Sequence, residues 1–377
     1  MHLTLHVTNK CNLRCGYCYV HHGAESMTRE TALAAVDMAA RANTPCGLIF
    51  FGGEPLIERN LIYGIVEYSQ QVRKKTGQTF YYKITTNGTL LDEEFLNFSR
   101  DVNMMVGFSH DGLAQDDFRV FSNSGAGTAA ALEDKIPLLL RYQPYALVMC
   151  VANPGTAGKL SASVEYLFDR GFRYLIVSPN YDKSAPWDKS SLAALEAEYK
   201  KLADLYLKWT REGVKFYLSC FEMKISSHLR GAEYFEDRCQ LGKKQISVAP
   251  DGKLYPCVQF VGDAEYEMGD VFSGIDVEKR RIVEEKGAAD APECAGCAVK
   301  GRCNHTCGCL NRQATGAIDR VSPVQCAHER MLLPIADKIA EKLYRERNPL
   351  FLHKHYNKLY PVLSLIEDRS AGNPAGV

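Results

Sequence analysis

The 377-residue sequence lacks the features that would tie it to a polyanionic or membrane partner. It has no excess of charge, because 45 Lys and Arg residues balance 45 Asp and Glu residues, so no overall field attracts nucleic acid or an anionic membrane. No stretch is apolar enough to span a bilayer, and the N-terminus has neither a basic segment nor a long apolar one. We therefore expect a cytoplasmic protein with no nucleic-acid or membrane partner.

Cysteine, in contrast, is abundant, with 14 residues. The cytosol keeps thiols reduced, so metal binding is a better interpretation of these residues than a disulfide framework. Two groups are separated along the chain: Cys11, Cys15 and Cys18 near the N-terminus, and Cys239, Cys257, Cys294, Cys297, Cys303, Cys307, Cys309 and Cys326 toward the C-terminus. Cys46, Cys150 and Cys220 lie alone, and we expect the first two to be small buried hydrophobic residues.

Short β-branched and aromatic runs alternate with segments of helical period as far as residue 179, which is typical of βα units and a parallel sheet. The predicted strands are residues 3–7, 47–51, 80–85, 104–109, 146–151 and 174–178. The predicted helices begin after Thr28 and continue at residues 61–75, 92–100, 128–141 and 159–169. Six such repeats predict an α/β fold, a partial (β/α)6 TIM-like barrel, with a C-terminal cysteine-rich iron–sulfur module.

A further helical pattern at residues 190–211 separates the barrel from the second cysteine group, and residues 329–347 have a similar pattern. These patterns predict three parts of the chain. Residues 1–212 form the barrel with its connecting helix, residues 213–330 form an auxiliary-cluster domain, and residues 331–377 form a C-terminal helix and a fraying tail.

In barrels of parallel strands, chemistry takes place in the loops that follow the strands. The N-terminal cysteines follow the first predicted strand, residues 52–55 follow the second, residues 86–89 the third and residues 110–112 the fourth. We therefore expect these polar loops to meet at one mouth. The acid–base candidates there are Glu54, His110, Asp111 and Arg119, of which we choose Asp111 as the catalytic residue.

The first cysteine group has the spacing Cys-x3-Cys-x2-Cys. Three thiolates on one tight loop can hold three irons of a [4Fe–4S] cluster and leave the fourth iron open to an outside ligand. A structural zinc site is the alternative, and it would need a fourth ligand, which His21 or His22 could supply.

Residues 11–18, CNLRCGYC, resemble the signature of the radical SAM superfamily. The resemblance implies that S-adenosylmethionine binds the open iron and that its reductive cleavage gives a 5′-deoxyadenosyl radical. It also implies cofactor contacts beyond the cysteines, although each of these residues could instead serve ordinary loop structure. They are Tyr17 beside the cluster, Gly52, Gly53, Glu54 and Pro55 at the amino group of the methionine moiety, Ser109 at the ribose, and Asn153 and Val177 at the nucleoside.

The second cysteine group resembles the seven-cysteine signature of SPASM domains, and a pair of zinc ribbons is the alternative. The resemblance implies two auxiliary [4Fe–4S] clusters, so that the chain would hold three clusters in all. One would be ligated by Cys294, Cys297, Cys303 and Cys326, and an inner one by Cys239, Cys257 and Cys307. Relatives with a fully ligated inner cluster carry one more cysteine where this chain has Glu233, and Cys220, Cys309 or an outside ligand could fill that place.

The resemblance favours a maturase that abstracts hydrogen from a residue of a ribosomally made peptide. The product would be a thioether, a carbon–carbon crosslink or an epimer, and the partners would be a peptide or protein substrate and an electron donor such as flavodoxin or ferredoxin. Anaerobic sulfatase maturation, which forms formylglycine, ranks second because those enzymes place an aspartate where this chain has Val258. An iron–sulfur electron carrier is a third possibility. The first predicted strand starts at His2, so we expect no preceding leader-binding domain.

Overall fold

The computed structural model describes residues 1–42, 44–231 and 240–370. Its strands, in chain order, are β1 (His2–Thr8), β2 (Leu13–Cys15), β3 (Cys46–Gly52), β4 (Phe80–Thr86), β5 (Met104–Ser109), β6 (Arg119–Phe121), β7 (Leu147–Ala152), β8 (Tyr174–Pro179), β9 (Tyr217–Leu218), β10 (Gln245–Val248), β11 (Leu254–Tyr255), β12 (Gly269–Asp270) and β13 (Gly274–Ile275). Nine of them form one sheet in the order β11-β10-β1-β3-β4-β5-β7-β8-β9. Every pair in that sheet is parallel except β10 with β11, so the predicted α/β barrel core is confirmed.

The described α-helices pack around this sheet and extend beyond it. They are α1 (Arg29–Arg41), α2 (Arg59–Thr76), α3 (Glu93–Asp101), α4 (Gln115–Phe118), α5 (Ala129–Leu132), α6 (Lys135–Tyr142), α7 (Leu160–Asp169), α8 (Lys189–Arg211), α9 (Ser219–Arg230), α10 (Val277–Ala288), α11 (Gly308–Thr315), α12 (Pro323–Arg345), α13 (Pro349–Tyr356) and α14 (Tyr360–Ser370). None of the described helices is both long and apolar enough to cross a membrane.

The six predicted strands correspond to β1, β3, β4, β5, β7 and β8, with ends that differ by at most one residue. The start of α1 also agrees, because the Thr28 hydroxyl caps the helix by accepting a hydrogen bond from the Thr31 N–H at 3.1 Å. The single helix predicted at residues 128–141 is instead two helices, α5 and α6. Helix α12 starts earlier than predicted, at Pro323 after the capping residue Ser322.

The sequence patterns did not reveal that the second cysteine region extends the barrel sheet. Strand β10 lies parallel to β1, with His2 opposite Gln245 and Leu5 opposite Val248. The hairpin to β11 turns at Gly252, whose φ of +91° favours glycine. The sheet therefore continues across the predicted domain division at residue 212, and that division stays a prediction.

The C-terminal region contains two helices, α13 and α14, beyond the single helix predicted there. Asn348 caps α13 by accepting a hydrogen bond from the Phe351 N–H at 2.9 Å, and Phe351 is buried in the main core. Residues 371–377, the end of the predicted tail, lie outside the described residues.

Candidate functional site

A cavity of about 310 Å³ opens where the central parallel strands end. Its lining includes seven of the predicted site residues: Cys11, Cys15, Tyr17, Cys18, Gly52, Gly53 and Ser109. Its remaining wall includes residues from the C-terminal cysteine region, namely Gln259, Leu310 and Gln313. The structure thus brings the N-terminal cysteine loop, the ends of five strands (β3, β4, β5, β7 and β8) and part of the second cysteine region to one space.

The cysteine loop is fixed by backbone pairing that the sequence patterns did not predict. Strand β2, which carries Cys15, pairs antiparallel with β6 and places Cys15 opposite Arg119. The next residue, Gly16, donates its N–H to the Phe118 carbonyl at 2.9 Å. Residues 13–16 are therefore held by a ribbon that also brings Arg119 to the cavity.

The side chain of Asn12 fixes the same loop to the loop that follows β4. It donates to the Thr89 hydroxyl at 2.8 Å and accepts from the Asn87 amide at 2.9 Å. Asn87 also accepts a hydrogen bond from the Thr89 N–H at 3.0 Å. The loops after β1 and β4 are thus joined by one amide–hydroxyl network.

The two glycines after β3 allow that strand to approach the start of the cysteine loop. Gly53 donates its N–H to the Thr8 carbonyl at 2.8 Å, and Glu54 donates to the Lys10 carbonyl at the same distance. A Cβ atom on Gly53 would lie 2.1 Å from the Lys10 carbonyl oxygen, and one on Gly52 would lie 2.2 Å from that of Thr8. Only glycine therefore fits this backbone contact.

The Glu54 carboxylate is not among the residues that line the cavity, so its expected contact with an ammonium group stays a prediction. It is fully buried and accepts hydrogen bonds from the Thr86 hydroxyl at 2.7 Å, the Asn87 N–H at 2.7 Å and the Leu56 N–H at 3.0 Å. Burial raises its pKa, and these three donors oppose that shift. The carboxylate therefore joins the loops after β3 and β4, because a buried charge requires such donors. Pro55 is also buried behind the cavity and opens a short 3₁₀ turn.

Asp111 likewise lies behind the cavity, so the structure does not place it as the expected general base. Its carboxylate accepts hydrogen bonds from the Tyr17 hydroxyl and, at 2.9 Å, from the Val151 N–H. The Tyr17 hydroxyl in turn accepts one from Arg119 Nη1 at 2.9 Å. Burial raises the pKa of Asp111, and the nearby Arg119 charge lowers it. With both oxygens engaged, Asp111 positions Tyr17 and the end of β7.

The protein shifts the pKa of all three thiols in the N-terminal cysteine loop. Burial raises the pKa of Cys11 to about 12, although its sulfur lies 3.4 Å from the Leu13 N–H, which opposes the shift. Burial also raises the pKa of Cys15 and Cys18, and the Arg119 guanidinium opposes both shifts. Arg119 is buried, and among the described residues its Nε has no hydrogen-bond partner. It is therefore a fixed positive charge beside the thiols.

The two predicted nucleoside contacts lie just behind the cavity wall. Asn153 is buried, and its amide oxygen accepts a hydrogen bond at 2.9 Å from Asn180, which does line the cavity. The Val177 N–H donates to the Ser219 hydroxyl at 2.9 Å, while its neighbours Ile176 and Ser178 line the cavity. The wall after β7 and β8 is thus formed by the residues next to those predicted.

Four cysteines of the C-terminal region lie close together. Burial and the charges of Cys326 and Cys297 raise the pKa of Cys294, and Cys326 similarly affects Cys303. Cys294 and Cys326 also pack with Ala291 and Val321 in a small apolar cluster. These are the four residues that the sequence assigns to one auxiliary cluster.

Cys257, Cys307 and Cys309 form a second neighbourhood, while Cys239 and Glu233 lie outside the described residues. Within the described ranges, no three His, Cys, Asp or Glu side chains are arranged to hold a metal ion. His22, named in the zinc alternative, lies with its Nε2 3.6 Å from Cys18 Sγ. The ligand roles of the cysteines therefore stay a prediction that rests on their spacing and their neighbourhoods.

Comparisons with known proteins decide the family. The radical SAM superfamily model matches residues 5–155. An uncharacterised protein of Methanocaldococcus jannaschii is 32% identical over 205 residues, which are 53% of this chain and 69% of that protein. The chain belongs to the radical SAM superfamily. A cysteine-type anaerobic sulfatase-maturating enzyme of Clostridium novyi is 26% identical over 282 residues, which are 70% of this chain and 74% of that enzyme.

Two solved structures share the fold of this radical SAM enzyme. The structure of anSMEcpe with bound AdoMet has a TM-score of 0.78 at 20% identity, covering 91% of this chain and 99% of that one. Streptococcus suis SuiB bound to the precursor peptide SuiA has a TM-score of 0.58 at 14% identity, covering 86% of this chain and 75% of that one. The enzyme is thus related to anaerobic sulfatase maturases and peptide-modifying enzymes, and its family implies a [4Fe–4S] cluster.

Several cavity residues were not identified from the sequence. Tyr19 follows Cys18 directly and stacks on Phe51, with ring centroids 6.3 Å apart. Gln259 and Gln313 also face this cavity, and each lies near a C-terminal cysteine in the sequence. That proximity to the cysteine motifs is the one signal that could have pointed to them.

Proposed function

We propose that this radical SAM enzyme modifies a residue of a peptide or protein substrate in the cavity between its two cysteine regions. Cys11, Cys15 and Cys18 would hold the radical SAM cluster at the floor of that cavity. Bound there, the cluster and S-adenosylmethionine supply a 5′-deoxyadenosyl radical that abstracts hydrogen from substrate. The proposal rests on the meeting of all three cysteines with strand-end residues in one space.

The lining residues fit such a cofactor. Gly52, Gly53 and Ser109 line the cavity, and backbone groups and a hydroxyl can bind a polar nucleoside and its amino-acid moiety. Arg119 adds a positive charge beside thiols that must be deprotonated to bind iron. We propose that Tyr17 and Asp111 act as positioning residues. The Tyr17 hydroxyl joins the Asp111 carboxylate to Arg119 and so orients that guanidinium, and the carboxylate itself is not free to act on substrate.

One observation supports a peptide as the substrate: side-chain amides are prominent in the cavity wall. Gln259 and Gln313 line it together with Asn87 and Asn180, whose amides are already hydrogen-bonded within the protein, and no Asp or Glu is among its described lining residues. Gln259 Oε1 is buried and has no hydrogen-bond partner among the described residues. Side-chain amides carry both donors and acceptors, so they complement the N–H and C=O groups of a peptide backbone.

Sulfatase maturation is the second candidate, because the sequence similarity to sulfatase-maturating enzymes extends over most of the chain. It requires formation of formylglycine from a cysteine or serine residue. The resemblance places the aspartate of those enzymes at Val258, and the absence of carboxylates from the described cavity lining agrees with that substitution. We therefore rank crosslinking or epimerisation of a ribosomal peptide first.

We also propose that the C-terminal cysteines hold two auxiliary [4Fe–4S] clusters. The proximity of Cys294, Cys297, Cys303 and Cys326 supports an outer one, and the proximity of Cys257 and Cys307 supports an inner one. An external donor such as flavodoxin or ferredoxin would supply electrons. Residues 213–330 would then be the auxiliary-cluster domain, joined to the barrel through β10.

The test uses anaerobically reconstituted enzyme, S-adenosylmethionine and reductant with two kinds of peptide. One is the product of a short reading frame beside the gene, and the other is a sulfatase peptide with its target cysteine or serine. Loss of hydrogen from the first peptide, or hydrogen exchange from deuterated solvent, would support peptide maturation, whereas formylglycine in the second would support the other candidate. The matched control is Cys18→Ser, which should abolish 5′-deoxyadenosine formation. An enzyme that never yields 5′-deoxyadenosine would be an electron carrier instead.

A further inference from the structure

The resemblance to SPASM domains leaves the inner auxiliary site one ligand short, because Glu233 stands where relatives carry an eighth cysteine. The structure distinguishes between the two other cysteines that could fill this place. Cys220 lies on α9 in the main core, beside Tyr199 and Tyr206. It is therefore part of the packing of the barrel and not of the cysteine-rich region.

Cys309 has different surroundings. It is 7% exposed and packs in the apolar cluster that also contacts Cys257 and Cys307. Its thiol lies beside the thiols of both cysteines. Three thiols thus meet in one buried neighbourhood, and two of them are already assigned to the inner cluster.

The turn that carries Cys307 and Cys309 also contacts the segment that follows Cys239. Gly308, between the two cysteines, packs so closely on Leu241 that a Cβ atom there would lie 2.7 Å from Leu241 Cδ2. Leu241 is two residues after Cys239 in the sequence and belongs to the same apolar cluster as Cys309. Leu241 therefore contacts this site directly.

We propose that Cys309 is the fourth thiolate ligand of the inner auxiliary [4Fe–4S] cluster, together with Cys239, Cys257 and Cys307. Four thiolates, one for each iron, close the cluster completely. No iron of the inner cluster would then be open to a substrate thiolate or amide. This assignment rests on the proposed auxiliary clusters and gives the inner one a role. The inner cluster would carry electrons, and the cavity wall would orient the substrate.

The position of Tyr19 agrees with a role of the inner cluster in electron transfer. Its hydroxyl lies within electrostatic reach of Cys18 in the N-terminal loop and of Cys257 and Cys309 in the inner site. The residue also lines the cavity. One aromatic side chain therefore lies between the proposed radical SAM cluster and the proposed inner cluster.

The experiment uses the full chain with Cys11, Cys15 and Cys18 all changed to Ala, so that only auxiliary clusters assemble. This parent should bind about eight irons per chain. Cys309→Ala is added to it, and Cys220→Ala serves as the matched control of a buried cysteine. One-electron oxidation of a cluster with an iron that lacks a thiolate releases Fe²⁺ and leaves [3Fe–4S]⁺, which has a distinct EPR signal.

The parent and the Cys220→Ala protein should give little [3Fe–4S]⁺ signal, whereas Cys309→Ala should give on the order of one spin per chain. Loss of about four irons from Cys309→Ala alone, with the outer-cluster EPR signal retained, would support the same assignment. If Cys309→Ala does not fold, Cys309→Ser keeps an oxygen ligand, and a shifted inner-cluster EPR signal and potential are expected.

Two results would overturn the assignment of Cys309. The first is a parent that already gives the full [3Fe–4S]⁺ signal, since an iron would then be open with Cys309 present. The second is a Cys309 variant with the iron content and EPR spectra of the parent. A parent that binds no iron would contradict the auxiliary clusters themselves, whereas the SAM-cleaving function is tested separately by 5′-deoxyadenosine formation in the unaltered enzyme.

Discussion

The N-terminal cysteine loop lies against the ends of a nine-stranded sheet, whereas the C-terminal cysteines lie in a region with short strands of its own. The first loop is held by the β2–β6 ribbon, by Asn12 and by the backbone of Gly53. In the second region β11, β12 and β13 have two residues each. Five of its cysteines pack in two small apolar clusters that are separate from the main core: Cys257, Cys307 and Cys309 in one, and Cys294 and Cys326 in the other.

This difference indicates how each region gains its stability. The N-terminal loop is ordered by its contacts with the barrel, in which β1 and β3 are largely buried and strand ends are joined by hydrogen bonds. The small apolar clusters of the C-terminal region can contribute little hydrophobic free energy. Metal binding adds folding free energy where a core is small, so we infer that the C-terminal region depends on its clusters for order.

The largest expected effect follows from removing the metal. Anaerobic chelation of the reconstituted enzyme should greatly increase amide hydrogen exchange between residues 257 and 326, since the ligands there would also hold the chain together. Exchange in β1, β3, β4 and β5 should change little. Mass spectrometry of peptides from the holo and apo proteins measures both regions in one experiment.

The variant that lacks only Cys11, Cys15 and Cys18 is the control for that comparison. It should retain protection in the C-terminal region, because its auxiliary ligands are intact. Equal protection of residues 257–326 in the holo and apo proteins would show that the region folds without metal, and the contrast between the two cysteine regions would then be wrong.

Periodicity predicted the barrel because its strands and helices are regular. Residues such as Leu3, Leu5 and Val7 occupy fully buried strand positions, and a capping threonine marks α1. The pairing of β10 with β1 could not be predicted, since four residues far along the chain carry no signal of their parallel partner. The small helices α13 and α14 were missed because their apolar residues form no extended stripe.

At the site, the cysteines could be predicted because their spacing is specific. The roles of the buried polar residues behind the cavity could not be predicted. Glu54 and Asp111 both have the residue type expected of a catalytic group at a strand end. Only the structure shows that their oxygens are occupied by buried donors. Sequence alone does not distinguish a carboxylate that faces substrate from one that joins two loops.

A smaller effect is expected from Tyr17→Phe, which tests whether the N-terminal loop is preorganised by its polar contacts. The change removes the hydroxyl between Asp111 and Arg119 and leaves a buried acceptor and a buried donor without that partner. We expect a loss of about 2 kcal/mol in the free energy of unfolding, as for other unsatisfied buried groups. Denaturant unfolding measures it, and 5′-deoxyadenosine formation should fall roughly tenfold.

Tyr19→Phe is the matched control, since it changes a tyrosine of the same loop and keeps the ring that stacks on Phe51. Its free energy of unfolding should stay within about 0.5 kcal/mol of the unaltered protein. If both variants lose the same amount, the Asp111–Tyr17–Arg119 chain has no special part in holding the loop.

The smallest effect concerns pH and a buried histidine on the barrel side. His110 is 1% exposed, and its Nδ1 accepts a hydrogen bond from the Gly112 N–H at 2.9 Å. Burial, with the Arg119 charge, lowers the pKa of His110 to about 4. The folded protein thus favours neutral His110, whereas the unfolded chain takes up a proton near pH 6.5. The free energy of unfolding is therefore fully retained above about pH 6.5 and decreases as the pH falls toward 4.

His110→Asn keeps an oxygen that can accept from Gly112 and removes the titrating ring. Between pH 6 and 5, the unaltered protein should lose about 1.4 kcal/mol more per pH unit than the variant, which corresponds to one proton. We expect the barrel to fold without metal. The difference between the two proteins in how the free energy of unfolding changes with pH should therefore persist in the apo protein. A difference seen only with clusters bound would mean that acid acts through the clusters, and that the two regions are coupled more closely than their packing indicates.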